Sequence, residues 1–264
     1  LLGEAVRQVG TATIHRRLDF MRDALLAADR ILAPSEFLRQ RFIEEGLSAD
    51  RVEFWENGHD PERFVGQAER RAAHPAQGRV RFGFVGTLIP NKGPELLVRA
   101  FQDLPVGRAT LDIHGRGGGP KGVQYEASLA ALNRHPDLRF HGPFDNARVG
   151  EVLAGLDVLV VPSLWFENSP LTLNEAALAG LAVVTSDFGG MRELADRFGH
   201  ALVFPVGDQA ALTATLRRFL DEPGLALSLS KTHRPVRTIE EDAAGQIARY
   251  RDLLRGQPGP DGAG

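Results

Sequence analysis

The chain alternates short, almost continuously apolar runs with longer stretches in which apolar residues recur at helical spacing. This alternation is clearest from about residue 80 onward. Apolar runs of this length are typical of strands covered on both faces of a sheet. The pattern predicts strands at residues 80–85, 109–114, 138–141, 158–162, 182–185 and 201–204.

Between these runs lie stretches with the spacing of helices, at residues 94–103, 125–134, 147–154, 170–179, 191–197 and 209–220. A strand followed by a helix every roughly 20 to 30 residues favours parallel pairing through right-handed crossovers. The predicted fold class is α/β, with a Rossmann-like doubly wound parallel sheet. Ligands of such sheets bind at the carboxyl ends of the strands.

The first 66 residues show a shorter version of the same alternation. Their pattern predicts, in order, a helix, a strand, a helix and a strand at residues 16–28, 30–33, 35–46 and 52–55. Ser35 is the expected N-cap of the second helix. Two strands and two helices are too few to bury a core alone. Residues 1–66 are therefore predicted to be the tail of a second Rossmann-like domain whose beginning is missing.

The remaining boundaries follow from composition. Residues 67–78 are polar and rich in Ala, Arg and Gln, which predicts a linker to a main domain at 79–237. Residues 238–255 have apolar positions at helical spacing and predict an amphipathic C-terminal helix. Residues 256–264 are rich in Gly and Pro, which predicts a disordered tail.

Composition narrows the classes of protein. Lys and Arg number 31 against 34 Asp and Glu, so the 264-residue chain has a net charge of -3 and lacks the basic character of nucleic-acid-binding proteins. The absence of cysteine excludes disulfides, thiolate metal clusters and a cysteine nucleophile. The longest apolar runs are far shorter than the roughly 20 residues of a membrane span. These observations indicate a soluble α/β protein.

The loop after the strand at 158–162 carries the clearest candidate chemistry. Pro170 is expected at the first position of the next helix, with Ser169 or Asn168 as its cap. The unpaired N–H groups of such a helix start favour a phosphate group. Glu167 in the loop and Glu175 in the second turn would repel an anion unless each had a partner, and sugar or ribose hydroxyls are suitable donors.

A purely structural role of this loop remains open, because strand–loop–helix junctions with a glutamate are common. Glu175 could serve only as a cap, and Trp165 and Phe166 could serve only in packing. A second loop, with Gly86 and Lys92, also joins a strand to a helix on the same edge of the sheet, where Lys92 offers a charge for phosphate.

A third turn, residues 115–120, resembles a dinucleotide-binding fingerprint only loosely. Because Pro120 directly follows Gly119, we expect that this turn does not open a helix in the manner of a GxGxxG motif.

The combined motifs resemble a known family. Seven residues separate Glu167 from Glu175, in a Pro-Ser-x-x-x-Glu-Asn-Ser-Pro-x-x-x-x-Glu-Ala frame. Together with Gly86…Lys92-Gly93, the turn at 115–120 and Asn57-Gly58-His59-Asp60, this frame is similar to that of family 4 retaining glycosyltransferases with the GT-B architecture, over residues 16–254. In that family two Rossmann-like domains face each other: the C-terminal domain binds the nucleotide sugar and the N-terminal domain binds the acceptor. Residues 1–66 would then be a truncated acceptor domain.

The resemblance implies roles for individual residues. Glu167 would hold hydroxyls of the donor sugar, Lys92 would neutralise the leaving diphosphate, and these two are the expected catalytic residues. Glu175 would hold the ribose. The rest of the nucleotide-sugar site would comprise the backbone amides around Ser169, Leu171 and Thr172, the base-holding turn Gly142, Pro143 and Phe144, and Gly86, Thr87 and Asn168, with Gly189 and Gly190 lining the same cleft.

The sequence departs from the family pattern at two places. Thr87 stands where the family commonly has an arginine that clamps the diphosphate; Arg116 and Arg192 are both open as substitutes. The early strands of the acceptor domain, with the loop that carries the family's histidine, are missing, and His15 precedes the wrong helix to replace it. We expect no metal, because the sequence has no Asp-x-Asp pair and because a cation and a helix dipole can neutralise the diphosphate.

The resemblance therefore implies a hexosyltransferase-type enzyme. It would move a sugar, with retention of configuration, from a UDP- or GDP-sugar to a glycan, lipid or other acceptor, without a cofactor. The family context implies bacterial polysaccharide or glycoconjugate synthesis in the cytoplasm or at the inner face of its membrane, with membrane contact through the missing part.

Three alternatives stay open at the level of sequence. The first is a nucleotide-sugar-binding module, inactive because its acceptor domain is incomplete. The second is a nucleotide-sugar epimerase. The third is a dinucleotide-dependent dehydrogenase, which should show GxGxxG in its first strand–helix turn, where residues 85–94 do not.

Overall fold

The computed structural model of the protein describes residues 10–72, 78–199, 201–232 and 234–256. Its contacts divide the chain into two compact units. The larger unit is Asn57–Ala243, and the smaller unit contains the described parts of Leu1–Glu56 and Ala244–Gly264.

The smaller unit contains a two-stranded parallel sheet. Its elements are α1 (Thr11–Leu26), β1 (Ile31–Ala33), α2 (Glu36–Glu44) and β2 (Val52–Phe54). Ser35 caps α2 as predicted, because its side chain accepts a hydrogen bond of 3.1 Å from the Leu38 N–H. Buried apolar side chains of both strands and of the loop before β2 form a small core, made of Ile31, Ala33, Leu47 and Val52.

The larger unit is built on a six-stranded sheet. Its strands are β3 (Val80–Val85), β4 (Ala109–His114), β5 (Leu138–Gly142), β6 (Val158–Val161), β7 (Ala182–Ser186) and β8 (Ala201–Phe204). They pair in the order β5-β4-β3-β6-β7-β8, and every pairing is parallel. The predicted α/β fold with a Rossmann-like parallel sheet is therefore confirmed. The order reverses direction between β3 and β6, which is the point where open sheets of this kind bind ligands.

One helix of the larger unit precedes the sheet, five connect its successive strands, and two follow the last strand. They are α3 (Gln67–Ala72), α4 (Pro94–Gln102), α5 (Gly119–Leu132), α6 (Val149–Ala154), α7 (Leu171–Leu178), α8 (Gly190–Phe198), α9 (Gln209–Asp221) and α10 (Leu225–Ser230), and α11 (Ile239–Gly256) follows them. Alternate residues of β6 belong to two different buried clusters, Val158 and Val160 to one, Leu159 and Val161 to the other. Because successive strand residues point to opposite faces, both faces of the sheet are covered.

Several predicted boundaries differ from the observed ones; the helix predicted at 16–28, for example, spans Thr11–Leu26. The helix predicted at 125–134 begins at Gly119, because Pro120 occupies its first turn, where a missing N–H costs nothing. The turn at 115–120 thus opens a helix directly. Gly256, expected in the tail, ends α11, and the rest of the predicted tail lies outside the described residues.

The linker predicted at 67–78 is also wrong in its first half. Residues 67–72 form α3, which is held by two hydrogen-bonding side chains. Gln67 Nε2 donates to the Gly150 carbonyl at 2.9 Å, and the Arg71 guanidinium donates to the carbonyls of Ala179 and Gly180. Residues 73–77 lie outside the described part of the chain.

The boundary between the units follows Glu56 rather than residue 66. Phe64 is buried in the core of the larger unit, and the His59 N–H donates to the Arg237 carbonyl at 2.9 Å. These contacts tie the segment after Glu56 to the larger unit. None of the helices in the described ranges has the length and apolar character required to cross a membrane.

Candidate functional site

A cavity of about 340 Å3 opens at the carboxyl ends of the strands, beside the reversal of strand order. Loops after three strands and the first turns of α7 form its wall. The lining residues are Val85 at the end of β3, with Gly86 and Thr87 after it; Gly115 and Arg116 after β4; Pro143, Phe144, Asn146 and Val149 after β5; and Leu171, Thr172 and Glu175 of α7. The predicted loops therefore converge on one site.

The turns after β3 and β4 form a single wall because a glycine lets them touch. Gly115 has a φ of +145°, and a Cβ placed on it would lie 1.8 Å from the carbonyl oxygen of Gly86. The Gly86 N–H donates to the His114 carbonyl and the Leu88 N–H donates to the Arg116 carbonyl, both at 3.0 Å. No side chain fits between these turns, which explains the need for glycine at this position.

Glu167 and Lys92 form an ion pair, with 2.6 Å between Lys92 Nζ and Glu167 Oε1. The buried Ser163 hydroxyl lies 3.0 Å from Glu167 Oε1 and 3.0 Å from the Asn91 carbonyl oxygen, to which it can also donate. The positive charge of Lys92 is therefore already balanced by a carboxylate of this chain.

Backbone contacts fix the two loops that carry this pair. Gly93, with a φ of +69°, follows Lys92, and a Cβ there would lie 2.0 Å from the Pro162 carbonyl oxygen. The Leu164 N–H donates to the Asn91 carbonyl at 2.8 Å, and the Gly190 N–H donates to the Glu167 carbonyl at 2.9 Å. Glu167 is thus held from both sides of its loop.

The structure only partly assembles the predicted set of three charged residues. It brings Lys92 and Glu167 together and places Glu175 in the cavity. Neither Lys92 nor Glu167 is among the described residues that line that cavity.

The start of α7 differs by one residue from the prediction. Pro170, with φ -65° and ψ 116°, is itself the N-cap, so the expectation of Ser169 or Asn168 as the cap is wrong. Neither of these two side chains lines the cavity; Asn168 is exposed and Ser169 is partly buried. The helix begins at Leu171, whose N–H and that of Thr172 have no acceptor within the helix. Both residues line the cavity, so the predicted anion-binding helix start is there.

Glu175 is a half-buried carboxylate in the cavity wall. Burial raises the pKa of Glu175, and the positive charge of nearby Arg63 opposes that shift. In the described part of the chain, no hydrogen bond or ion pair to its side chain is found, so Glu175 is available to a hydroxyl donor of a ligand. Its place as the fifth residue of α7 excludes the alternative in which it caps the helix.

The part of the wall that follows β5 rests on an aromatic stack. The Phe144 ring meets the His114 ring edge-on, with 6.0 Å between their centroids, and His114 stacks on His141 at 4.5 Å. Burial, assisted by the charge of His141, lowers the pKa of His114 to about 4 despite nearby Asp112. His114 is therefore neutral at physiological pH and supports the Pro143–Phe144 wall as a flat ring. Gly142 ends β5 just before this wall and does not itself line the cavity.

Some cavity residues escape prediction from the sequence. Asn146 and Val149 lie one turn beyond the predicted base-holding turn and carry no motif. His114 and His141 were recognisable only as the last polar positions of neighbouring strands. Trp165 and Phe166, which could have been packing residues, are 54% and 50% exposed, although Phe166 stacks on Phe188.

Comparison with known proteins finds relatives of this chain that are named as glycosyltransferases. The chain is 29% identical to a 2-deoxystreptamine glucosyltransferase of Streptomyces kanamyceticus, over 72% of this chain and 50% of that protein. It is 32% identical to a GDP-mannose-dependent alpha-mannosyltransferase of Mycobacterium tuberculosis, over 69% of this chain and 45% of the relative. The chain thus spans about half the length of the curated relatives it matches.

A solved structure shares the fold. The crystal structure of Anabaena Alr3699/HepE in complex with UDP and glucose superimposes with a TM-score of 0.77 at 18% identity, over 94% of this chain and 69% of that one. The model of the family described as glycosyl transferases group 1 matches residues 66–235, more than half of the chain. The chain therefore belongs to the glycosyl transferases group 1 family.

Proposed function

We propose that the protein transfers a sugar, with retention of configuration, from a nucleoside-diphosphate sugar to a hydroxyl group of a glycan, lipid or other acceptor. The observation that carries this proposal is the cavity at the reversal of strand order, where the start of α7 and the Glu175 carboxylate lie together. Membership in the glycosyl transferases group 1 family supports it. A UDP- or GDP-sugar is the proposed donor, since one similar structure contains UDP and one relative is named for its use of GDP-mannose.

The cavity offers complementary chemistry for each part of a nucleoside diphosphate. The apolar wall of Pro143 and Phe144 suits the base. The Glu175 carboxylate suits the ribose hydroxyls, which would give it the donors that it lacks. The free N–H groups of Leu171 and Thr172 suit the diphosphate, because a helix start favours negative charge.

The ion pair beside the cavity suits the reacting end of the donor. When the sugar leaves, negative charge grows on the diphosphate, and Lys92 can share its charge between Glu167 and that leaving group. Glu167 can accept hydrogen bonds from the sugar hydroxyls. A preorganised donor of this kind typically contributes roughly 3–4 kcal/mol to transition-state stabilisation.

We also propose that these steps occur in the cytoplasm, at the inner face of the membrane where the acceptor is lipid-linked. The absence of cysteine is compatible with a reducing compartment.

A second candidate is a module that binds nucleotide sugars without transferring the sugar. The Lys92–Glu167 ion pair favours it, because a neutralised lysine stabilises a leaving group less than a free one. The two candidates differ in one measurable quantity. A transferase releases nucleoside diphosphate from the donor in the presence of an acceptor or, more slowly, of water, whereas a binding module returns the donor intact.

A thermal-shift panel with UDP-, GDP- and ADP-sugars tests the proposal. At a ligand concentration of 100 times the Kd, binding adds about 2.7 kcal/mol of stability, which raises the Tm of a chain of this size by about 5–10 °C. Nucleoside diphosphate released from the most stabilising donor is then measured by chromatography. NAD serves as the control ligand. A panel without any shift, or a shift with NAD alone, would contradict the proposal.

Glu175→Gln should weaken nucleotide binding and at the same time raise the stability of the ligand-free protein. We expect the variant to bind UDP or GDP about tenfold to a hundredfold more weakly, because a hydrogen bond to a charged group contributes about 1.5–3 kcal/mol. We expect the ligand-free variant to be more stable than the wild type near pH 7. The raised pKa of Glu175 means that the folded state favours the protonated carboxyl. The wild type therefore loses folding stability as pH rises through that pKa, whereas the glutamine variant does not.

Calorimetry and urea denaturation at several pH values check both halves of this prediction. The stability difference should vanish below the ordinary pKa of a glutamate, where Glu175 is protonated in the folded and unfolded states alike. Unchanged nucleotide affinity in the variant would remove the ribose role from Glu175.

A further inference from the structure

We propose that Arg116 is the cation that anchors the diphosphate in the cavity. This proposal rests on the proposed function and names a binding residue within that same site. Arg116 lies in the turn after β4 and lines the cavity together with Thr87 and Thr172. It is the one Lys or Arg side chain among the described residues that line the cavity.

The charges around the cavity create a need for this cation. Glu175 contributes negative charge to the wall, and the charge of Lys92 is balanced by Glu167 at 2.6 Å. Apart from the charge that Lys92 shares with Glu167, the described lining residues other than Arg116 offer a ligand with two phosphate groups only uncharged donors, such as backbone N–H groups and hydroxyls. The Arg116 guanidinium supplies a positive charge at the position where the ligand needs it.

The backbone of Arg116 is fixed and its side chain is available. The Leu88 N–H donates to the Arg116 carbonyl at 3.0 Å, and the tight contact of Gly115 with Gly86 holds the turn that carries it. In the described ranges, the guanidinium takes part in no hydrogen bond or ion pair. A guanidinium presents several N–H groups in one plane and can bind two phosphate oxygens at once.

Two other arginines, Arg192 and Arg63, are already paired with carboxylates. Arg192, the second candidate from the sequence, pairs with Asp187 at 3.3 Å and with Asp196 at 2.8 Å, and it does not line the cavity. Arg63 pairs with Asp60 at 3.2 Å. Of the two substitutes that the sequence left open opposite Thr87, the structure favours Arg116.

The test compares a diphosphate with its nucleoside. UDP and GDP are titrated by calorimetry, and uridine and guanosine by ligand-observed NMR, against the wild type, Arg116→Ala and the control Arg192→Ala. We expect Arg116→Ala to weaken the diphosphate by about tenfold to a hundredfold and to leave the nucleoside within about twofold. Because the side chain is exposed, the Tm of the ligand-free variant should equal that of the wild type. Arg192→Ala should bind both ligands as the wild type does.

A rescue variant sharpens the test. Thr87→Arg, added to Arg116→Ala, places a guanidinium on the adjoining turn of the same wall and should restore at least part of the lost diphosphate affinity. Equal losses for diphosphate and nucleoside, or no loss at all, would overturn the role of Arg116 while leaving the proposed function intact. A wild type that binds neither UDP nor GDP would instead overturn the proposed function, and this proposal with it.

Discussion

Glu167→Gln is expected to slow the release of nucleoside diphosphate from the donor sugar by about a hundredfold to a thousandfold, the effect of removing one preorganised group from a reacting centre. The affinity for free UDP or GDP should change little, because Glu167 pairs with Lys92 outside the cavity lining. Glutamine keeps an oxygen for the Ser163 hydroxyl and preserves the volume of the side chain. The variant therefore removes the negative charge and leaves the packing of the loop unchanged.

Glu222→Gln is the matched control for this prediction. Glu222 is an exposed carboxylate that also pairs with a cation, Arg218, at 2.7 Å, and it follows α9 away from the cavity. Its substitution should leave the rate of diphosphate release unchanged. A Glu167→Gln variant that releases diphosphate at the wild-type rate would exclude a role for Glu167 in the reaction.

The ion pair predicts non-additive kinetics. If Lys92 and Glu167 act as one unit, Lys92→Met combined with Glu167→Gln should cost little more than the more damaging single variant. Rates that multiply in the double variant would show that the two side chains act independently.

Gly115→Ala is expected to lower the free energy of unfolding by about 2–5 kcal/mol, the combined cost of a strained backbone and an overpacked contact. The added Cβ would lie 1.8 Å from the Gly86 carbonyl oxygen, at a φ of +145° that alanine rarely adopts. The turns after β3 and β4 would have to separate, so binding of UDP or GDP should also be lost.

Gly118→Ala provides the control within the same turn. Gly118 has a φ of -101°, and a Cβ there would meet no atom within 4 Å. Urea denaturation should therefore show wild-type stability for this variant. Similar losses of stability in both variants would contradict the packing that we describe for the two turns.

Local patterns were sufficient for much of the fold. The apolar runs predicted β3, β4 and β8 at their observed bounds and the remaining strands of the larger sheet within one residue. A strand that is covered on both faces buries each successive side chain, so most positions of such a run are apolar. The same local information failed for α3, a polar segment whose helix depends on Gly150, Ala179 and Gly180, far away along the chain.

In the candidate site, too, local sequence patterns predicted some features and failed for others. The loop before α7 was predictable because a buried strand, a polar turn and a proline near a helix start follow one another in the sequence. The cap itself was misassigned by a residue, since Pro170 takes an extended conformation that only the path of its loop determines.

The sequence by itself determined the parallel α/β sheet, the edge that carries its loops and the likeness to glycosyltransferases. These properties can be predicted from the order of residue types, because periodicity and motifs involve only a few neighbouring positions. Only the tertiary structure decided how the charges of the site are distributed. Lys92 and Glu167 are 75 positions apart, and Arg116 reaches the cavity through a different turn. Which carboxylate neutralises which cation depends on the approach of separate loops, and that approach is fixed by the packing of the whole sheet.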